Sequence, residues 1–303
     1  MALRALIVGA AAGGGLPQWN CNGVNSREFW RGGNGVSATQ SSLAVSSDGV
    51  AWALLNASPD IRSQIMVRPE LQPRDAGTYG LRDTPISSVL LTNGDIDHIA
   101  GLLTLREKQA FRLITTAEIA KVLAENPIFN ALDPDFVTRE VVLLDKPIDL
   151  VPGLTAWLFA VPGKVPLYME GETVETDLMG EQTVGVEITD GRCTLLYIPG
   201  CARMVPALKE RLLGADAVMF DGTLWTDDEM IAQGLGQKTG QRMGHMSISG
   251  PDGSIAAFDG LDVGRKIFVH INNTNPVWRD GPERAEAEAA GWEIAYDGME
   301  VML

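Results

Sequence analysis

Apolar residues in this 303-residue chain come in short runs, and nearly every run is stopped by Gly, Pro, Asn or Asp. Apolar runs of about four to eight residues bounded in this way read as strands, because a helix needs a longer periodic stretch. The pattern predicts strands over Arg4–Gly9, Ser42–Ser46, Val50–Leu55, Ser87–Thr92, Arg112–Thr115, Glu140–Leu144, Leu154–Val161, Thr183–Thr189, Thr194–Ile198, Ala217–Phe220, Lys266–Ile271 and Trp292–Ala295. Helical patterns are fewer: Ser58–Val67, His98–Lys108, Thr116–Glu125, Pro206–Leu213, Asp227–Gln233 and Gly281–Ala290. Strands come first, then strands mixed with helices, then strand-helix units. Two packed sheets with outer helices satisfy that order better than one doubly wound sheet. No internal repeat and no long linker breaks the chain, so a single domain over residues 1–303 is expected, with the acidic stretch Tyr168–Glu181 as an exposed loop.

Charge narrows the partners. A formal net charge of -15 works against nucleic acid, whose phosphates call for Lys and Arg, and against anionic membrane surfaces. No apolar run reaches the roughly 20 residues of a membrane helix, so membrane insertion is not expected. The opening MALRALIVGAAAGGGLPQWN reads as a first strand and its turn rather than a signal peptide. Three cysteines cannot build a full disulfide framework, so the cytoplasm is the expected compartment. A homodimer is the default expectation for a soluble protein.

Chemistry is suggested by one design that occurs three times. A hydrophobic strand ends and ligand-type residues follow at once: SSVLLTNGDIDHIAG with Asp97 and His98, DAVMFDGTLW with Asp221, and RKIFVHINNTNP with His270. Ligand sites in α/β sheets gather beyond the carboxyl ends of strands, so these three ends can meet. Each segment also has a plain reading. Asp97 and His98 can cap a helix, Asp221 before Gly can be a turn residue, and a lone His270 can be a satisfied core histidine. The metal reading is lifted by the joint pattern, since two of only three histidines fall at these ends. His245 in QRMGHMSISG is a third ligand, a general base, a substrate contact or a plain loop residue. Asp60 in LLNASPDIRSQ is either support for the site or the N-terminal charge of a helix. The glycines of GAAAGGGLPQW lack a full phosphate-binding pattern and read as a tight turn.

Nine stretches spread over the whole chain carry a resemblance: AAGGGLPQWNCN, TQSSLAVS, LLNASPDIRSQ, DIDHIAGLLTLRE, FDGTLWTDDEM, TGQRMGHMSISGP, VHINNTNP, GPERAEAEAAGWE and AYDGMEV. In these the chain resembles the metallo-β-lactamase superfamily and, within it, the branch concerned with biosynthesis of pyrroloquinoline quinone (PQQ). The resemblance implies an α/β fold, an αββα sandwich of two mixed β-sheets with outer helices. The superfamily motif His-x-His-x-Asp-His aligns with Asn93-Gly94-Asp95-Ile96-Asp97-His98, so both leading histidines are replaced. Gly200 and Cys201 stand where a later histidine is expected. The first metal site of the usual hydrolytic pair is thus dismantled, while Asp97, His98 and His270 of the second remain, with Asp221 in the place of the bridging carboxylate. Relatives often hold a structural zinc with Cys-x-Cys-x-x-Cys. This chain reads Cys21-Asn22-Gly23-Val24-Asn25-Ser26, so no structural zinc is expected.

Two imidazoles with one or two carboxylates suit Fe(II) with open coordination positions, and zinc accepts the same ligands. What the resemblance implies is iron- and oxygen-dependent hydroxylation of the tyrosine ring of a peptide-derived, cross-linked Glu-Tyr unit. An alternative it also carries is a non-catalytic carrier that helps move PQQ or its precursor toward the periplasm. On the first reading Asp97, His98 and His270 are ligands, Asp221 a ligand or base, and His245 a proton-transfer residue; Asn93, Asp95 and Asp60 stand behind them. Arg62, Arg203, Lys238 and Arg242 are the cations expected to meet substrate carboxylates, with Asn273 as a further contact.

Overall fold

Strand boundaries follow the short apolar runs in the computed structural model, which describes residues 2–33, 35–171 and 174–303. The strands are β1 (Arg4–Gly9), β2 (Ser42–Ser46), β3 (Trp52–Leu55), β4 (Ile86–Leu90), β5 (Phe111–Thr115), β6 (Val137–Val141), β7 (Ile148–Val151), β8 (Leu154–Gly163), β9 (Leu178–Thr189), β10 (Thr194–Ile198), β11 (Ala217–Asp221), β12 (Arg265–Val269), β13 (Trp292–Ile294) and β14 (Glu300–Met302). They form two seven-stranded sheets, ordered β14-β1-β2-β3-β4-β5-β6 and β13-β12-β11-β10-β9-β8-β7. Both are mixed. The first is antiparallel from β14 to β3 and parallel from β3 to β6. The second is parallel from β13 to β10 and antiparallel from β10 to β7.

Every residue of β2, β3 and β11 is buried. Burial of both faces requires cover on each side, here the other sheet on one side and helices on the other. This is the αββα sandwich implied by the resemblance. Its core is continuous across the two sheets, and Ser41 Oγ and Tyr197 Oη, 3.0 Å apart, join them by a buried hydrogen bond. Phe268 stacks on Trp292 at 3.8 Å between ring centres, and Phe258 meets the same indole edge-on at 4.9 Å. This aromatic packing fixes β12 and β13 against the chain beneath them.

Several boundaries differ from those read in the sequence. The helix expected over His98–Lys108 is only Ile96–Ile99 followed by a 3-10 turn, Ala100–Leu103. The Gly101 amide donates to the Ala57 carbonyl at 2.9 Å instead of continuing the helix. A Cβ there would sit 2.2 Å from the Ser58 carbonyl oxygen, so only glycine permits this approach. The strand expected over Glu140–Leu144 is β6, pinned earlier by the pairs Phe111 with Val137 and Thr115 with Val141. Edge strands β7 and β14 are short, and β14 alternates exposed and buried, which leaves little apolar run to recognise. Part of the expected loop Tyr168–Glu181 is strand, since β9 begins at Leu178; Glu172 and Thr173 lie outside the described residues. No described helix is long and apolar enough to cross a membrane.

Candidate metal centre

The carboxyl ends of β4, β11 and β12 meet where the two sheets are stitched together. Ala11, just past β1, bridges to Gln40 in one direction and to Ile271 in the other, and Asn93 bridges to Thr183. The turn after β4 delivers Asp97 and His98, β11 ends on Asp221, and His270 follows β12 directly. His270 adopts a left-handed backbone, φ 55°, which costs on the order of 1 kcal/mol or more for a residue with a Cβ. The following asparagines hold it there. The Asn275 side-chain amide donates to the Gly222 carbonyl at 3.0 Å, the Asn272 backbone N–H to the Thr223 carbonyl at 3.0 Å, and the Trp278 indole to the Asn272 carbonyl at 2.8 Å.

Asp97 Oδ2 lies 3.1 Å from His270 Nε2 and 3.8 Å from His98 Nε2. Two ligands about 2.1 Å from one ion stand roughly 3 to 3.5 Å apart, so this spacing suits a shared cation. Hydrogen bonding supports the same reading. Thr223 Oγ1 is 2.6 Å from Asp221 Oδ1 and 2.9 Å from His270 Nδ1. Its single proton goes to the carboxylate, so it accepts from the His270 Nδ1–H and leaves Nε2 as the ring nitrogen that faces Asp97, donating to it when protonated and offering a lone pair to a cation when not. His98 Nδ1 faces Thr92 Oγ1 at 3.5 Å, while His98 Nε2 is buried with no hydrogen-bond partner among the described residues. Leaving a buried polar atom unpaired costs about 1–3 kcal/mol. A metal ion is the partner that all three atoms fit.

Asp221 is fully buried, and its carboxylate is already engaged by four donors. Oδ1 accepts from Thr223 N at 3.0 Å and from Thr223 Oγ1; Oδ2 accepts from Cys201 N at 2.9 Å and from His245 Nδ1 at 2.7 Å. It is therefore placed to orient His245 rather than to reach the Asp97 cluster. His245 in turn stacks on His270, ring centres 5.1 Å apart, and Asp221, His245 and His270 form a second group of mutually close ligand-type atoms. A side chain at position 200 would start 3.6 Å from the His245 ring, so His245 occupies space beside the missing histidine. Asn93 Oδ1 accepts from the Asp95 amide at 2.9 Å, and Asp95 Oδ1 from the Leu167 amide at 3.3 Å. Both residues at the dismantled motif positions now brace loops.

Electrostatics follow from burial and neighbours. Burial, aided by the other two histidines and opposed by Asp97, pushes the His98 imidazole down to about 4, so it is neutral at pH 7, the form that binds metal. For Asp97, burial works against ionisation, but His98 and His270 outweigh it and hold the carboxyl well below its usual range. Burial likewise opposes protonation of His270, and its hydrogen bond with Asp97 outweighs that and raises it. Asp95 is raised by burial and by the charge of Asp97.

The remaining sequence-predicted residues scatter. Asp60 turns its carboxylate to Gln40, accepting from its backbone amide at 2.9 Å and its side chain at 3.0 Å. Gln40 then receives the Gly14 amide at 2.9 Å, and a Cβ on neighbouring Gly13 would lie 3.4 Å from the Asp97 carboxyl. Asp60 thus supports the glycine turn that walls the centre. Asn273 spends its side-chain amide on Gln18 at 2.6 Å. Arg62 lines an apolar groove with Ile65, Met66 and Leu71 that contains no residue of the centre. Arg203 pairs with exposed Asp177 at 3.0 Å. Lys238 is half-buried just before the short helix Gly240–Met243. Arg242 pairs with Glu170 at 2.8 Å. Sequence reasoning missed Thr223, Thr92 and Gly13; the only signal was their place one or two residues from a strand end or in the glycine turn.

A beta-lactamase superfamily domain matches residues 51–271. Coenzyme PQQ synthesis protein B of Ruegeria pomeroyi is 57% identical over 302 residues, covering 99% of this chain and 100% of that protein. The protein of the same description from Rhizobium meliloti is 54% identical over 302 residues, covering 99% and 98%. The crystal structure of Zn(2+)-bound PqqB from Methylobacterium extorquens matches with a TM-score of 0.96 at 51% identity, covering 99% of this chain and 100% of that one.

Proposed function

This chain belongs to the beta-lactamase superfamily and, within it, to the coenzyme PQQ synthesis protein B family, and from that membership we propose that it acts in PQQ biosynthesis as a mononuclear, iron-dependent hydroxylase of the tyrosine ring of a cross-linked Glu-Tyr precursor. The observation that carries the reading is the convergence of Asp97 Oδ2, the unpartnered His98 Nε2 and His270 Nε2 on one point, while Asn93, Asp95 and His245 fill the ground of a second hydrolytic metal. Asp97, His98 and His270 would hold the ion. When bound, Fe(II) supplies O2 activation at the open coordination positions such a ligand set leaves.

The chain's own residues do the rest. Thr223 and Asp221 lock the tautomers of His270 and His245, as partners behind metal-binding histidines do. With its Nδ1 proton held by Asp221, His245 presents Nε2 as a proton acceptor beside the centre. Gly13 keeps a side chain off the Asp97 carboxyl, which a Cβ there would meet at 3.4 Å.

The test is anaerobic loading with Fe(II), followed by O2, ascorbate as reductant and a Glu-Tyr dipeptide or its cross-linked form. Hydroxylated product is expected from the wild type and lost in Asp97→Ala and His98→Ala. Tight binding of PQQ or precursor with no product in any metal state would instead identify a carrier. Zinc-dependent cleavage of an ester or phosphodiester would identify a hydrolase.

A further inference from the structure

Beside the turn that carries Asp97 and His98, a carboxylate of the chain itself is gripped by two cations. Glu170 Oε1 lies 3.1 Å from Lys164 Nζ, and Glu170 Oε2 lies 2.8 Å from an Arg242 guanidinium nitrogen, with the second Arg242 nitrogen 3.2 Å from Oε1. The Lys164 and Glu170 side chains are only 10% and 8% exposed. Two sets of contacts tie the grip to the segments that flank the metal centre. Lys164 lies against Gly244, where an added Cβ would be 3.2 Å from its Cγ, and Gly244 precedes His245. The segment between Lys164 and Glu170 is tied to the metal-binding turn through Leu167 N to Asp95 Oδ1 at 3.3 Å and Tyr168 Oη to Gly94 O at 2.7 Å.

Desolvating a Lys and a Glu together is expensive and is often no more stabilising than an apolar pair. Two cations also share this one carboxylate, with Asp95 the next acid near Lys164, in a chain whose formal charge is -15. A structural staple needs neither feature. We propose that Lys164 and Arg242 form the carboxylate-recognition site of the substrate, and that Glu170 is an internal stand-in whose place a substrate carboxylate takes. The ligand class is an aromatic polycarboxylate. Its acid group sits in the Lys164–Arg242 grip, the Arg242 fork donating to it at two points, and its ring extends toward Asp97 and His270. The inference deepens the proposed function and rests on it for the identity of the ring. Arg242 was expected from the sequence as a substrate cation; Lys164 and Glu170 were not.

The test is isothermal titration of the zinc-loaded full chain with PQQ, its trimethyl ester, and tricarballylate, a tricarboxylate with no ring. Glu170→Gln, which removes the competing charge, is expected to tighten PQQ and tricarballylate at least tenfold. Lys164→Met and Arg242→Gln are expected to weaken both at least tenfold, and the ester is expected to respond to none of them. Tightening of tricarballylate alone supports the grip and places the failure in the PQQ-pathway reading. A Glu170→Gln protein that melts like the wild type and binds neither acid more tightly overturns the proposal, as does an ester that responds like the acid.

Discussion

Removing the Thr223 hydroxyl as Thr223→Val should loosen metal binding without touching a ligand. The hydroxyl accepts from the His270 Nδ1–H at 2.9 Å and donates to Asp221 at 2.6 Å, and Thr223 is 4% exposed. With valine of the same shape in its place, a buried imidazole N–H loses its acceptor, a cost of about 1–3 kcal/mol. The ring then gains by moving its proton to Nε2, where Asp97 accepts it at the position the metal needs. Losses behind metal-binding histidines typically lower affinity 10- to 100-fold, roughly 1.4–2.7 kcal/mol. We therefore expect zinc affinity, measured by competition with a chromophoric chelator, to fall 10- to 100-fold in Thr223→Val and to recover to near the wild-type value in Thr223→Ser. Urea unfolding of the metal-free protein should show a loss of about 1–3 kcal/mol. A folded valine variant with affinity within threefold of the wild type would refute the tautomer argument, and so would a serine variant as weak as the valine one.

Two further outcomes follow from the same fold. Glu229 is buried with no cation partner among the described residues, accepting from the Trp225 amide at 2.7 Å and from Thr274 Oγ1, and burial raises it from 4.5 to about 7. Its folded-state value lies above the unfolded one, so the native state binds the proton more tightly. Its contribution is full below about pH 4.5 and is lost as pH rises through about 7, on the order of 3 kcal/mol. Relative to wild type, Glu229→Gln should gain that amount between pH 4.5 and 8 in chelator-treated urea titrations, and a pH-independent difference would count against this assignment. Gly101→Ala places a methyl 2.2 Å from the Ser58 carbonyl oxygen, an overlap costing about 1–3 kcal/mol or more; an unchanged melting temperature would show that the loop yields freely.

Much of the fold was legible in the sequence because its central strands carry short apolar runs that end on turn residues. Asp97, His98, Asp221 and His270 stood out because ligand-type residues at three strand ends are an unusual coincidence in a chain with three histidines. Of the four edge strands, β13 was legible as Trp292–Ala295, whereas β6 was read too late and β7 and β14 were not read at all. In β6 the pattern from Val137 is one buried residue followed by exposed and half-exposed ones, and pairing with β5 sets its register. Nor was the role of Thr223, since a threonine two residues past an aspartate has no pattern of its own. Its meaning comes from His270, 47 positions away. The Lys164–Glu170–Arg242 grip escaped for the same reason: its members are unremarkable singly, and Arg242 reaches Glu170 across 72 positions.

The central claim is a single metal ion held by Asp97, His98 and His270, with Asp221 turned away to orient His245. Its most direct test is an anomalous-difference map from crystals of this protein loaded anaerobically with Fe(II) and measured at the iron edge. The account predicts one peak bonded to Asp97 Oδ2, His98 Nε2 and His270 Nε2, and no peak in crystals of His98→Ala. Two peaks, or one peak bonded to Asp221 and His245, would contradict it.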